Sequence, residues 1–194
     1  MLVLILGIIV FLGVHSVRIV APQWRLAKIE QWGENKWKGF YSVLSLAGFF
    51  LLVWGYGLAR PDAPILYEPP VFMKHIAGLL MLFAAIFLGV FIAKPGRMKP
   101  ALKHPMLIAI KTWALAHLLA NGDLASLILF LSFLAWAVAD RIAIKQQERA
   151  GLISSPNIVA GPVSNDIIAV VIGVVVYGLF VWKLHALLIG VQPM

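Results

Sequence analysis

The chain has no cysteine, and of its 194 residues only eight are acidic against sixteen Lys and Arg. The first absence excludes disulfides, thiolate metal centres, iron–sulfur clusters and a cysteine nucleophile together. Any bound metal must therefore be held by His, carboxylate, Met or Tyr. Charge of either sign is scarce, at 12% of residues, whereas 62% are hydrophobic and the mean hydropathy is +0.94. A soluble domain carries roughly 25% charged residues, so this balance predicts an all-α, polytopic membrane protein. Internal repeats and a separate soluble domain are also lacking, and residues 1–194 read as one transmembrane helix bundle. In a soluble chain a net charge of +8 would suggest nucleic acid. Here the basic residues report topology, the expected surroundings are membrane lipid, and no nucleic-acid partner is expected.

Six segments are long and apolar enough to span a bilayer, at about 2–20, 38–59, 72–93, 104–120, 123–142 and 165–190, each near the roughly 17–25 residues required. The first has no basic residue ahead of it, and Ala21-Pro22-Gln23 is a poor cleavage site, so it reads as a retained span rather than a signal peptide. Twelve of the sixteen basic residues fall in alternate connections: Arg18, Arg25, Lys28, Lys36 and Lys38, then Lys94, Arg97, Lys99 and Lys103, then Arg141, Lys145 and Arg149. The positive-inside rule then places both termini outside, in the periplasm of a Gram-negative bacterium, and the protein in its inner (cytoplasmic) membrane. Trp24, Trp32, Trp37, Trp54, Tyr56, Tyr67 and Trp182 cluster near span ends, where amphipathic rings anchor. Ser164-Asn165-Asp166 offers an N-cap for the last helix, and Asp123 one for the fifth.

Ionisable groups inside apolar runs are expensive in lipid and mark functional sites by default. His15 shares a helix face with Ile8, Phe11, Leu12, Arg18 and Ile19; His117 shares one with Ile110, Trp113, Ala114 and Asn121. That second face could hold a flat apolar ring system beside Trp113. Either histidine could be a hydrogen-bonded packing residue, but two on different helices in a chain without cysteine are candidate ligands for a metal or a haem iron. Zinc is disfavoured because no third strong ligand stands at a fixed spacing. Arg18 either snorkels or reaches an anionic group such as a haem propionate. Lys111 falls within a span and should pair with a carboxylate or propionate, snorkel, or be neutral. His104, before Pro105, reads as an interfacial helix start; His75 and His185 read as interfacial.

The residues Phe11-Leu12-Gly13-Val14-His15-Ser16-Val17-Arg18, the stretch Gly48 to Ala59 ending Trp54-Gly55-Tyr56-Gly57-Leu58-Ala59, and His104-Pro105-Met106 through Trp113-Ala114-Leu115-Ala116-His117-Leu118-Leu119-Ala120-Asn121-Gly122-Asp123 resemble the NnrU family over almost the whole chain. NnrU proteins are associated with denitrification and nitric oxide metabolism and are similar to the 15-cis-zeta-carotene isomerases, which use histidine-ligated haem b. The resemblance implies haem b here, with His15 and His117 as axial ligands from its His-Ser and Ala-His motifs, and His104, in a His-Pro motif, as an alternative. Where those isomerases carry a cysteine three residues before the second histidine, this chain has Ala114. A cysteine-based ligand switch is thereby excluded.

At 1.5 Å per residue, the span limits put His15 roughly 8 Å and His117 roughly 18 Å from the inner boundary. His104 fits the depth of His15 better, but lies on the opposite side of its helix from Trp113. Three functions are compatible with these residues: a haem protein whose iron binds, senses or passes electrons to a nitrogen oxide such as nitric oxide; a haem-dependent isomerase of a carotenoid-like polyene; and a haem-free accessory or assembly protein.

Overall fold

A computed structural model describes residues 1–193, in which the regular secondary structure is helical apart from one isolated bridge between Ile65 and Asp123. The elements are α1 (Leu2–Val20), α2 (Pro22–Trp32), α3 (Glu34–Ala59), α4 (Val71–Ile92), α5 (Met98–Leu102), α6 (Pro105–Ala120), α7 (Leu124–Arg149) and α8 (Val163–Leu179), which continues through a π-helical turn (Phe180–Leu184) into α9 (His185–Ile189). Helices α1, α3, α4, α7 and the α8–α9 unit are each long and apolar enough to cross a membrane, and α6 is a shorter apolar helix. The chain is a membrane protein built as a bundle.

Neighbouring helices run in the order α3, α1, α7, α6, α4, α8, and α9 then crosses back to touch α3. The α1/α3 seam is made by small residues. A Cβ on Gly7 would lie 2.6 Å from Leu52 N, one on Gly48 2.8 Å from Phe11 N, and one on Gly55 would run into Leu4 N. In lipid, where apolar surface gains little by leaving its surroundings, such close approach supplies the dispersion contacts that hold helices together. The largest core cluster joins these helices to α6 and α7 through Leu4, Leu52, Tyr56, Ala114, Ala125, Leu129 and Phe130.

Helix α6 has sixteen residues, about 24 Å at 1.5 Å per residue, short of the roughly 30 Å of a hydrocarbon core. Its end groups are satisfied by protein. Tyr67 donates to Leu118 O and to Asn121 O (3.0 Å for the latter), and Asn121 Nδ2 donates to His117 O at 2.9 Å. These bonds cover carbonyls that a helix C-terminus leaves open.

Several expectations change in the folded chain. Helix α2 is an additional element: Pro22 stands at N1, where its missing N–H costs nothing. Helix α7 runs to Arg149 rather than ending near 142, because Lys145, Gln146, Gln147, Glu148 and Arg149 are good helix formers. The last helix starts after Pro162, so Asp166 is not its cap; it accepts instead from the backbone N–H of Arg97 (2.8 Å) and Met98 (3.0 Å). Tyr56 and Trp37 are buried rather than interfacial, Tyr56 because its hydroxyl has a partner inside the bundle, Ser126 Oγ at 2.8 Å. Asp123 caps α7 as expected, accepting from Ser126 N at 2.9 Å.

Candidate functional site

Two polar constellations sit at opposite ends of the bundle. The first surrounds His15, near the last turn of α1. An i−4 carbonyl can only accept, so His15 Nδ1 donates to Phe11 O at 2.7 Å, and Nε2 keeps an open lone pair. The ring packs on Phe11 (4.3 Å between centroids), Tyr41 (5.2 Å) and Trp136 (6.0 Å). It lines a cavity of about 380 Å³ bounded by α1, α2 and α3, whose walls carry Arg18, Arg25 and Lys38 along with Glu34, Trp37 and Tyr41. Ligand pockets commonly fall between about 300 and 1,000 Å³.

Beside it, Arg18 grips Asp140 with both arms of the guanidinium: Nε donates to Oδ1 at 2.9 Å, and Nη2 to Oδ2. The carboxylate is 1% exposed and the arginine side chain 50%, so the pair ties α1 to α7 at the rim of the bundle. The expectation for Arg18 was to snorkel or to reach an anionic group such as a propionate; in the fold its guanidinium meets the Asp140 carboxylate. A second cavity of about 220 Å³ lies across the same pair, sharing Arg18 and Arg25. Nε2 of His104, Nε1 of Trp136 and Nη1 of Arg141 are buried without a partner among the described residues.

The second constellation surrounds His117, at the other end of α6. Its Nδ1 donates to Trp113 O at 2.9 Å. The ring lies 4.4 Å from Phe130, 5.3 Å from Trp113 and 6.4 Å from His185. Asn121 attaches to His117 through its backbone carbonyl, not its ring. Lys111, between the two ends, makes no ion pair or hydrogen bond among the described residues. His75 is exposed near the start of α4.

His15 and His117 pack in different surroundings. They share no ring neighbour: His15 packs on Trp136, His117 on Phe130, six residues and about 9 Å earlier along α7. Phe133 stands between those two positions in α7, touching Phe11 at 5.7 Å and Trp113 at 5.3 Å. The residues around His15 suit a flat apolar group with anionic arms attached through one imidazole: an open Nε2, aromatic walls and three cations. His117 does not line that cavity. Among the described residues, no three His, Asp or Glu side chains gather around a common metal position.

Two participants, Asp140 and Trp136, went unnoticed in the sequence, and a third, His185, was read only as interfacial. Asp140 closes the apolar run Leu134-Ala135-Trp136-Ala137-Val138-Ala139-Asp140, and a carboxylate there signals a buried partner. Trp136, one turn earlier, marks the same face. His185 had no such signal, because its place beside His117 depends on how the last helix bends.

The family model described as NnrU protein matches residues 3–193. No curated protein and no solved structure matches the chain.

Proposed function

The chain belongs to the NnrU protein family, and from that premise we propose that it is a haem b-binding protein of the bacterial inner membrane, attached through His15 and tied to nitric oxide and denitrification metabolism. The observation that carries this reading is the cavity beside His15, with an imidazole whose Nε2 is open and cations on its walls. The Phe11 carbonyl holds the ring in the tautomer that leaves Nε2 unprotonated, the arrangement by which a second interaction fixes a metal-binding histidine. Arg25 and Lys38 are placed to neutralise carboxylate arms, while Arg18 keeps its fork on Asp140. Tyr41 and Trp37 supply apolar walls, and α2 covers the cavity on the side of the basic connections.

When bound through a single imidazole, haem supplies an iron with an open position that takes nitric oxide or carbon monoxide. The residues of this chain contribute attachment, charge neutralisation and partial exclusion of water.

The test is the absorption spectrum of the purified protein, oxidised and reduced, with and without added haemin. A Soret band is expected in the wild type, lost or shifted in His15→Ala and retained in His75→Ala and His117→Ala. A protein that takes up no haemin at all would stand as a haem-free accessory protein instead.

A further inference from the structure

The walls of the two cavities at the basic end of the bundle carry the cations Arg18, Arg25 and Lys38 and the carboxylates Glu34 and Asp140. Arg18 is taken by Asp140, and Lys38 by Glu34 at 2.8 Å. Arg25 is left over. Its guanidinium makes no ion pair or hydrogen bond among the described residues, yet it does not stand in water as the exposed Lys28 does. It is half-buried on the face of α2 formed by Pro22, Arg25 and Ile29, and it lines both cavities. A cation drawn partly out of water calls for an anion, and the acidic side chains on these walls are already paired.

The cavity of about 220 Å³ lies between α1, α2 and α7. Its polar side is Arg25, the Arg18–Asp140 pair and Gln147, which donates to Arg18 O at 3.3 Å. Its apolar side is Leu26, Ile144 and Ile153, of which Leu26 and Ile153 are exposed and Ile144 is buried. The volume falls below the roughly 300–1,000 Å³ of pockets that enclose a whole small molecule, and suits a head group whose chains remain outside. Helix α2, with Trp24 and Trp32 exposed and Lys28 over the Trp32 ring, has the composition of a helix lying in the head-group layer. Arg25 is thereby held at the level of the lipid phosphates. Basic pockets between helices on the cytoplasmic side bind anionic head groups, and the arginine fork matches a phosphate with two parallel hydrogen bonds.

We propose that this cavity is a site for the phosphate of an anionic phospholipid, held by Arg25, with the acyl chains leaving past Leu26 and Ile153 into the bilayer. A free phosphate ion would satisfy the same guanidinium but leave the apolar side uncovered. The guanidinium has five N–H donors, so one edge can serve the lipid while the other faces the cavity at His15. The lipid site therefore stands whether or not that cavity takes haem.

The experiment is native mass spectrometry of the full-length protein in detergent, without added haemin, titrated with dioleoylphosphatidylglycerol or with dioleoylphosphatidylcholine. One phosphatidylglycerol per chain is expected to bind in preference to phosphatidylcholine. Its affinity should fall about tenfold in Arg25→Met, the loss of a charge-assisted hydrogen bond, and stay unchanged in Lys28→Met and His15→Ala. Arg25→Gln repeats the test where the methionine variant fails to fold. Equal retention of the two lipids overturns the proposal. So does equal weakening in Arg25→Met and Lys28→Met, which is the general attraction of a basic face, and so does a rise in Tm with inorganic phosphate as large as with phosphatidylglycerol, which assigns the site to a free anion. Loss of the lipid in His15→Ala moves it to the other cavity and overturns the proposal as well. A protein that shows no Soret band with haemin but keeps phosphatidylglycerol through Arg25 refutes the haem reading and supports this one.

Discussion

Asp140 has both carboxylate oxygens taken by Arg18, and it is almost wholly buried while the arginine is half exposed. Removing the cation leaves an anion in an apolar setting without compensation, which costs about 3–5 kcal/mol for a fully buried pair and at most about 1 kcal/mol for an exposed one. Arg18→Met should therefore destabilise by about 2 kcal/mol, read as a fall in Tm in detergent. Asp140→Asn should cost less, because the remaining arginine reaches water, and Arg18→Met with Asp140→Leu should recover much of the loss. Equal damage from all three variants would mean that the pair contributes packing rather than charge compensation.

At the scale of elements, the α1/α3 seam is the most sequence-sensitive part of the bundle. Gly55 meets Leu4 backbone with no room for a side chain, whereas nothing lies within 4 Å of a Cβ on Gly57 two residues later. Gly55→Val should force the helices apart and cost about 1–3 kcal/mol, as overpacking does. Gly57→Val should stay close to wild type. Thermal unfolding of the pair in one detergent is the measurement, and similar loss in both would move the cause from the seam to helix propensity. The seam also bears on the site, since Phe11, which anchors the His15 ring through its carbonyl, lies against Gly48.

Across the whole molecule, the antiparallel helices bring the basic connections to one end. Arg18 with Asp140, Gln147 reaching Arg18 O at 3.3 Å, and Asp166 on the backbone of Arg97 and Met98 all belong to that end. Helix α2 lies there with exposed Trp24 and Trp32 and with Lys28 over the Trp32 ring at 5.3 Å, the composition of an interfacial helix. The orientation expected from the positive-inside rule puts this end in the cytoplasm. Reporter fusions after Arg97 and at the C-terminus should report opposite sides, the first cytoplasmic and the second external. The same side for both would overturn the six-span topology.

Hydrophobic run length by itself determined the membrane class, the all-helical architecture and the approximate spans, because in lipid every backbone group must be satisfied within the segment and a helix is the simplest way to do so. The cap at Asp123 was equally local and equally legible. Which histidines meet was not. Periodicity gives the face of a helix but not its depth, its tilt or its neighbour, so His15 and His117 look equivalent along the chain, whereas in the bundle their neighbours on α7, Trp136 and Phe130, stand six residues apart with Phe133 between. The partners of Arg18 and His117 were decided by tertiary structure alone: Asp140 is 122 residues away from the first, and His185 reaches the second only because a π turn redirects the last helix.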